Sequence, residues 1–366
     1  MLQPPPGTSK LDLDTPILCI DLDRMDANIR SMAGHVAERG KAWRPHEKCH
    51  KTPAIAHRQL AAGAIGVTCA KVSEAEVMAA AGIREILIAN MVVGGPKLER
   101  VAALCRHADP IVACDHFAQV EPLAAVCRRR GVTCRVIIEV DIGLERVGIR
   151  PGRDTLELAQ AISRLDGVEL VGIMGYEGHL LRVAERETKA RQIADSIGVL
   201  VHCRDLLLRS GLPCGIVSAG GTGSYQITAD LDGVTELQAG GGIFADPMYQ
   251  LQCGVTGLEY ALTVLATVVS RPVLGRAIID AGRKTHNPDH QMPLVKGWPD
   301  AEAVRFSAEH GELRLGPASQ DLKIGDKLEL IVGYADFTTV LHDCFYAFRD
   351  DRLEVIWPIL ARGKLT

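Results

Sequence analysis

Short apolar runs alternate with longer amphipathic segments through most of the chain. Eight runs have the length and composition of buried strands, at residues 43–48, 65–69, 85–89, 110–114, 134–139, 170–175, 215–218 and 234–238. Apolar side chains recur at helical spacing in the segments 22–39, 52–62, 73–81, 96–105, 116–130, 152–165 and 183–210. Eight strands alternating with helices predict a closed parallel (β/α)8 barrel of the TIM type rather than an open doubly wound sheet.

The pattern changes after about residue 254, where long helical segments stop. Short strand patterns follow at residues 260–270, 276–280, 304–307, 313–315, 327–332 and 353–357, separated by turns. We therefore predict a barrel domain over residues 22–254 and a β-rich domain over residues 255–366. The strand pattern within residues 12–21 precedes the barrel, and we expect it to join the β-rich domain. No Gly-x-Gly-x-x-Gly follows the first barrel strand, which disfavours a dinucleotide-binding fold.

Composition narrows the class of protein. The net charge is −4 and no basic stripe is interleaved with aromatic residues, so we expect no nucleic-acid partner. The longest apolar runs are shorter than a membrane span, which predicts no membrane insertion. Residues 1–7 lack the order of a signal peptide, and none of the eleven cysteines forms a Cys-x-x-Cys pair. Free thiols are typical of a reducing compartment, so we expect a cytoplasmic protein.

The residues suited to chemistry lie where the predicted strands end. Residues 44–51, at the end of the first strand, contain His46, Lys48, His50 and Lys51. If the strand continues, alternation places His46, Lys48 and His50 on one face. A lysine between two imidazoles is a plausible site for a Schiff base with a carbonyl cofactor. Taken alone, these residues are better explained as a basic, solvated strand end.

Two glycine-rich loops follow the last two barrel strands, at residues 219–225 and 238–242. In a barrel of this kind, phosphate is usually held by the loops after strands seven and eight. Glycine-rich turns expose backbone N–H groups that can surround an anion. Each loop alone is typical of a tight turn. Two such loops opposite a lysine on the first strand indicate a phosphate-bearing aldehyde, pyridoxal 5'-phosphate (PLP).

Five motifs, in this order, carry a resemblance to a known family. They are R-P-H-x-K-x-H-K at 44–51, C-A-K-x-S-E-A-E at 69–76, E-x-D-x-G-x-x-R-x-G at 139–148, S-x-G-G-T-G-S-Y at 218–225 and E-L-Q at 236–238. The chain resembles the D-threonine aldolase and eukaryotic-type D-serine dehydratase family, whose fold is that of alanine racemase (PLP fold type III). The likeness extends over nearly the whole chain.

The resemblance implies roles for individual residues. Lys48, rather than Lys51, is the lysine expected to bind PLP. Arg146 is expected near the phenolic oxygen of the cofactor and Tyr176 against its pyridine ring. The other cofactor-binding residues implied are Ser218, Gly221, Thr222, Gly223, Gln238, Gly240 and Gly241, and those implied for the substrate are His46 and Tyr334. It also implies a homodimer in which the β-rich domain of one chain covers the cofactor of the other.

The resemblance further implies a divalent metal, held by a His-x-Asp or His-x-Cys pair in the second domain. Counting back from Trp357-Pro358, that pair falls on Tyr334-Ala335-Asp336, so that a tyrosine stands at the histidine position. Three arrangements are open. The metal is absent, or a Mn, Mg or Zn ion is bound through Asp336 and His342, or the Tyr334 hydroxyl contacts the substrate instead.

The favoured function is retro-aldol cleavage of D-β-hydroxy-α-amino acids to glycine and an aldehyde, with His50 or His179 as the base that takes the hydroxyl proton. A dehydratase acting on D-serine or D-3-hydroxyaspartate is the first alternative, but departure of the hydroxyl needs a strong Lewis acid. An amino-acid racemase is the second, with Tyr334 or Tyr346 as the opposite base. A non-catalytic PLP-binding protein would lack the β-rich domain.

Overall fold

The computed structural model describes residues 4–366, so the first three residues of the N-terminal stretch considered above lie outside it. The chain divides into two compact units. One contains residues up to Ser31 together with Gly241–Gln252 and Thr256–Arg362, and is called here the β-rich unit. The other, the barrel unit, contains Met32–Gly240, Cys253–Val255 and Gly363–Thr366.

The chain begins with strand β1 (Ile17–Asp21) and helix α1 (Leu22–Ala37). Eight parallel strands follow: β2 (Ala42–Trp43), β3 (Val67–Cys69), β4 (Glu85–Ile88), β5 (Asp109–Cys114), β6 (Cys134–Glu139), β7 (Val168–Met174), β8 (Ile216–Ala219) and β9 (Glu236–Leu237). The helices between them are α2 (Pro53–Ala61), α3 (Val72–Ala80), α4 (Gly95–Leu104), α5 (Phe117–Arg130), α6 (Arg153–Ile162), α7 (Arg186–Arg209) and α8 (Tyr225–Thr228).

The eight strands close into a barrel. Their order is β2-β9-β8-β7-β6-β5-β4-β3. The two ends of this order, β2 and β3, are joined by a parallel bridge between His46, which follows β2, and Thr68 of β3. The Thr68 amide donates to the Pro45 carbonyl at 2.8 Å. The prediction of a closed parallel barrel is therefore confirmed. The strands are apolar on both faces, because both faces are buried. In β5, Ile111 and Ala113 pack in one apolar cluster, while Val112 and Cys114 pack in another.

The first barrel strand is shorter than its pattern predicts. β2 ends at Trp43, and Glu47–Cys49 form a 3₁₀ turn. Pro45 has no N–H to donate to a strand ladder, which is a physical reason for the strand to end there. The His46 Nδ1 atom accepts a hydrogen bond from the Lys48 amide at 3.3 Å and so caps the turn. The prediction that His46, Lys48 and His50 share one face of a strand is consequently wrong.

The β-rich unit is an antiparallel structure with one parallel pairing. Its further strands are β10 (Leu262–Val273), β11 (Arg276–Ile279), β12 (Leu294–Val295), β13 (Ala301–Phe306), β14 (Gly311–Leu315), β15 (Lys327–Ile331), β16 (Cys344–Arg349) and β17 (Arg352–Pro358), and its short helix is α9 (Ala335–Thr339). Strand β1 belongs to this sheet, because it pairs with β10 antiparallel and with β16 parallel. The sequence pattern missed β12, β16 and α9.

Residues Gly241–Gln252, predicted within the barrel domain, group with the β-rich unit. The reason is hydrogen bonding: the Ala261 amide donates to the Phe244 carbonyl at 3.0 Å, and the Met248 amide donates to the Gly333 carbonyl at 3.1 Å. Across residues 4–366, no helix is both long enough and apolar enough to cross a membrane.

Candidate active site

The segments that follow the first and eighth barrel strands, β2 and β9, contact each other at His46. The His46 amide donates to the Gln238 carbonyl at 2.9 Å. A Cβ atom at Gly240 would lie 2.1 Å from the His46 carbonyl oxygen, so only glycine permits this approach of the two segments. Burial, followed by the positive charge of Lys48, holds the pKa of His46 well below its usual value. The imidazole is therefore neutral beside the predicted cofactor lysine.

The two lysines of the first motif have different surroundings. Lys51 is buried and forms an ion pair with Glu74, a fully buried carboxylate. Glu74 also accepts hydrogen bonds from the amides of Ala70 at 2.7 Å and Lys71 at 2.9 Å. The Lys51 ammonium is thus held in a structural pair within the core. Lys48 lies on the 3₁₀ turn and is partly exposed, which supports Lys48 as the cofactor lysine.

His50 is fully buried and both of its ring nitrogens are engaged. Its Nδ1 atom accepts from the Thr52 amide at 3.0 Å, and its Nε2 atom lies 3.2 Å from the Gln59 Oε1 atom. Burial lowers the pKa of His50 to about 3, although the Gln59 contact opposes this shift. The geometry makes His50 part of the core that supports Lys48, and we do not retain it as the catalytic base.

Glu177 binds the glycine-rich loop that follows β8, residues 219–225. This carboxylate is fully buried, accepts a hydrogen bond from the Thr228 hydroxyl at 2.5 Å and accepts a longer one from the Gly220 amide at 3.4 Å. Gly220 has φ +74°, a left-handed conformation that favours glycine. The Gly221 amide donates to the Ser224 hydroxyl oxygen at 3.1 Å. These hydrogen bonds stabilise one conformation of the loop.

The next two amides of this loop are available to an anion. In the part of the chain that the structure describes, the backbone N–H groups of Thr222 and Gly223 donate to no protein acceptor. Thr222 is buried and adds a hydroxyl. Successive unpaired amides in a turn form an anion-binding concavity. These residues therefore fit the phosphate of PLP, as the sequence predicts. Gly241, the other predicted phosphate residue, is buried in the 3₁₀ turn Gly241–Ile243.

Lys189 also binds this loop, and it was not predicted from the sequence. It is 5% exposed, and its Nζ atom donates to the carbonyl oxygens of Gly223 at 2.8 Å and Cys253 at 2.6 Å. Burial lowers its pKa. A signal was present in the sequence: helical spacing places Lys189 on the same stripe of α7 as the buried Ile193 and Ile197. A lysine within an apolar stripe requires a polar partner.

Tyr176 lies flat against the glycine loop and beneath Arg146. A Cβ atom at Gly221 would lie 2.7 Å from the Tyr176 ring, and the Arg146 guanidinium carbon is 5.9 Å from the ring centroid. The Arg146 Nη2 atom is 3.8 Å from Glu139 Oε1. Burial raises the pKa of Glu139 to about 7, and the Arg146 charge opposes that rise. The structure thus brings Tyr176, Arg146 and the phosphate loop together.

His179, Ser218 and Gln238 complete the predicted set in the barrel unit. The His179 ring lies against the loop after β6, because a Cβ atom at Gly143 would be 2.8 Å from its Nε2 atom. His179 is exposed. The Gln238 amide donates to the Ser218 hydroxyl oxygen at 3.0 Å and links the ends of β8 and β9. All three lie at the carboxyl ends of barrel strands, where this fold places its chemistry.

The β-rich unit contains Tyr334, Asp336 and His342. The Tyr334 hydroxyl donates to Asp336 Oδ2 at 3.0 Å, and His342 Nε2 lies 2.8 Å from the Thr285 carbonyl oxygen. Burial, followed by the Asp336 charge, raises the pKa of Tyr334. Among residues 4–366, no group of three or more His, Cys, Asp or Glu side chains could hold a metal ion. The donor set therefore does not fit the divalent metal predicted at Asp336 and His342.

Comparison with known proteins identifies the family. The family described as "Alanine racemase, N-terminal domain" matches residues 20–247, and the family described as "Putative serine dehydratase domain" matches residues 261–348. The D-threonine aldolase of Arthrobacter sp. is 38% identical over 99% of this chain and 97% of its own length. The chain belongs to the D-threonine aldolase and D-serine dehydratase family.

Other members of the family agree over the full length. The 3-hydroxy-D-aspartate aldolase of Paracoccus denitrificans (strain Pd 1222) is 32% identical over 98% of this chain and 95% of its own length. The crystal structure of D-threonine aldolase from Filomicrobium marinum superposes with a TM-score of 0.96 at 36% identity, covering 99% of this chain and 100% of that one. A variant of D-threo-3-hydroxyaspartate dehydratase, solved "in the metal-free form", gives 0.88 at 30% identity, covering 96% and 98%.

The family assignment agrees with the fold and with the cofactor. The alanine racemase-like barrel carrying a β-rich domain is the predicted fold type III architecture, and PLP is the cofactor of this family. The residues present fit that cofactor, because the open amides of Thr222 and Gly223, the Tyr176 ring and Lys48 all belong to strand ends of one barrel.

Proposed function

We propose that this chain is a PLP-dependent lyase that cleaves D-β-hydroxy-α-amino acids to glycine and an aldehyde. The observation that carries the proposal is the 38% identity to a D-threonine aldolase over 99% of the chain. The D configuration of the substrate comes from the relatives alone, since nothing in the spacing of residues encodes it.

The barrel unit supplies the groups that would hold the cofactor. Lys48 would bind its aldehyde carbon, and the amides of Thr222 and Gly223 together with Gly240 would hold its phosphate. Tyr176 would pack against its ring, and Arg146, whose guanidinium carbon is 5.9 Å from the centroid of the Tyr176 ring, is the residue assigned to its phenolic oxygen. When bound, PLP supplies a ring that accepts the electrons released as the carbon–carbon bond breaks. Neutral His46 is the barrel residue assigned to the substrate.

His179 is the base that we assign to the β-hydroxyl proton. It is exposed at the end of β7, whereas the nitrogens of His50 are both engaged in the core. An imidazole is well suited to proton transfer near neutral pH. Glu139, with its pKa raised to about 7, is a second titratable group at the neighbouring strand end, and its contact with Arg146 assigns it to positioning that arginine.

The proposal is tested by the products of one reaction. Offered D-threonine or D-3-phenylserine, the PLP-loaded enzyme should release glycine and an aldehyde, because loss of the hydroxyl proton allows the carbon–carbon bond to break and the α-carbon then takes up a proton from solvent to give glycine. Aldehyde and ammonia should be measured in the same sample. Ammonia and a 2-oxo acid as main products would establish the dehydratase alternative, which relatives at 30–35% identity favour. Recovery of racemised amino acid with neither product would establish the racemase.

We further propose that the active protein is a cytoplasmic homodimer in which the β-rich unit of one chain covers the cofactor of its partner. Support comes from the family resemblance and, for the compartment, from eleven free cysteines. Sedimentation of the PLP-loaded enzyme should give twice the mass of one chain at concentrations where it is active. A fully active monomer would contradict the shared site.

A further inference from the structure

Tyr334 and Asp336 form a preassembled pair at the start of helix α9. Tyr334 is the residue that precedes the helix, and Asp336 lies in its first turn. The phenol donates to Asp336 Oδ2 at 3.0 Å, and both side chains are buried. The resemblance places a metal-binding His-x-Asp pair at these two positions. Here the first member is a phenol whose proton is already directed at the second.

The rest of the β-rich unit holds this pair in place. The Tyr334 ring packs edge-on against Tyr249, His290 and Phe337, with centroid distances of 5.9, 5.1 and 5.2 Å. Edge-to-face contacts at such distances stabilise one ring orientation. The buried Asp246 accepts hydrogen bonds from the amides of Ala335 at 2.9 Å and Tyr249 at 3.1 Å. Both the backbone and the ring of Tyr334 are therefore fixed.

The chemistry of these donors does not match a divalent ion. Zinc prefers imidazole and thiolate ligands, and magnesium and manganese sites are built from carboxylate, carbonyl and water oxygens. The Tyr334 phenol donates to one of the two Asp336 carboxylate oxygens, Oδ2, and a protonated phenol is not among the preferred ligands of these ions. No cluster of three candidate ligands occurs among the described residues, and the nearest alternative, His342, directs its Nε2 atom at a backbone carbonyl.

We infer that this chain holds no divalent ion at this position, because the residue at the position of the metal-binding histidine is a phenol whose proton is held on a hydrogen bond to Asp336. The aromatic contacts of Tyr334 and the hydrogen bond from the Ala335 amide to Asp246 keep that pair assembled. The inference concerns the ion alone and does not depend on which product the enzyme forms.

The inference is tested on the PLP-loaded enzyme, by its metal content and by its turnover. Purified protein, before and after dialysis against EDTA, should contain no stoichiometric Mn, Mg or Zn by mass spectrometry. Turnover should be unchanged by EDTA and by adding back each ion. The variant Tyr334→His creates a His-x-Asp pair and should gain binding of Mn²⁺, seen by calorimetry and as a rise in melting temperature. Asp336→Asn in that background should abolish the gain.

Tyr334→Phe keeps the ring contacts, removes the hydroxyl and adds no ligand, so it is the matched control for Tyr334→His. It should gain neither Mn²⁺ binding nor a rise in melting temperature with Mn²⁺. A wild-type enzyme that holds one ion per chain and loses turnover when that ion is removed would overturn the inference. A Tyr334→Phe variant that binds Mn²⁺ as tightly as Tyr334→His would overturn it as well.

Discussion

Replacing Lys48 with alanine should abolish both turnover and the visible absorbance of the PLP-loaded protein. The reason is that Lys48 is the lysine of the motif 44–51 that lies partly exposed on the 3₁₀ turn after β2, whereas Lys51 is paired with Glu74 in the core. Absorbance spectra before and after borohydride reduction measure the covalent link directly. A Lys48→Ala variant that is still coloured and still reducible by borohydride would remove Lys48 from its assigned role.

Lys51→Ala is the matched control for this experiment. It should retain the cofactor colour, since the covalent link is made elsewhere. It should also lose stability by about 3–5 kcal/mol, because Glu74 is then left as an uncompensated charge in the core. The double variant Lys51→Met with Glu74→Gln removes both charges and should recover part of that loss. Denaturant unfolding of the cofactor-loaded proteins measures the difference.

Lys189→Met should weaken PLP binding about 100-fold, because two hydrogen bonds from a charged donor, each worth about 1.5–3 kcal/mol, then cease to hold the phosphate loop. Lys189 touches no reacting atom. It positions Gly223, the residue whose amide, with that of Thr222, faces the anion site. Methionine has a similar length and is apolar, so it fills the space without placing a new charge in the core.

The measurement that separates positioning from a general loss of stability is a comparison of two ligands. PLP and pyridoxal differ only in the phosphate, so Lys189→Met should lower the affinity for PLP far more than that for pyridoxal. Lys189→Arg keeps the charge and should recover part of the PLP affinity. Lys97→Met, on the surface helix α4, should change neither. Equal losses for the two ligands would show that Lys189 supports the fold and not the phosphate loop.

Much of the barrel was predictable from sequence because burial imposes the pattern directly. A strand covered on both faces must be apolar throughout, and a helix that covers it must be apolar on one stripe. β6 illustrates the result, since the pattern and the structure agree on Cys134–Glu139. The positions of Lys48 and the two glycine loops followed from the same order of elements, because parallel strands place all their carboxyl ends at one face of the barrel.

The elements that the pattern missed are those whose formation depends on few residues. β12 contains two residues, too few to show a period of two, and it forms because it pairs with β13 and β15. β2 was predicted too long, because apolar and basic residues continue past Trp43 while Pro45 ends the hydrogen-bonded ladder. Local sequence does not show where a strand stops being hydrogen-bonded to its neighbour.

The sequence by itself determined the barrel, and it predicted that Lys48 and the two glycine-rich loops lie at strand ends, because these positions follow from a repeating order of elements. Tertiary structure decided which polar groups meet across long separations. Lys189 contacts Gly223 and Cys253, 34 and 64 residues away, and Glu177 contacts Thr228, 51 residues away. Tertiary structure likewise buried His50 against Gln59. A buried polar side chain must find its partner wherever the fold brings one, and that information lies in the packing of the whole chain.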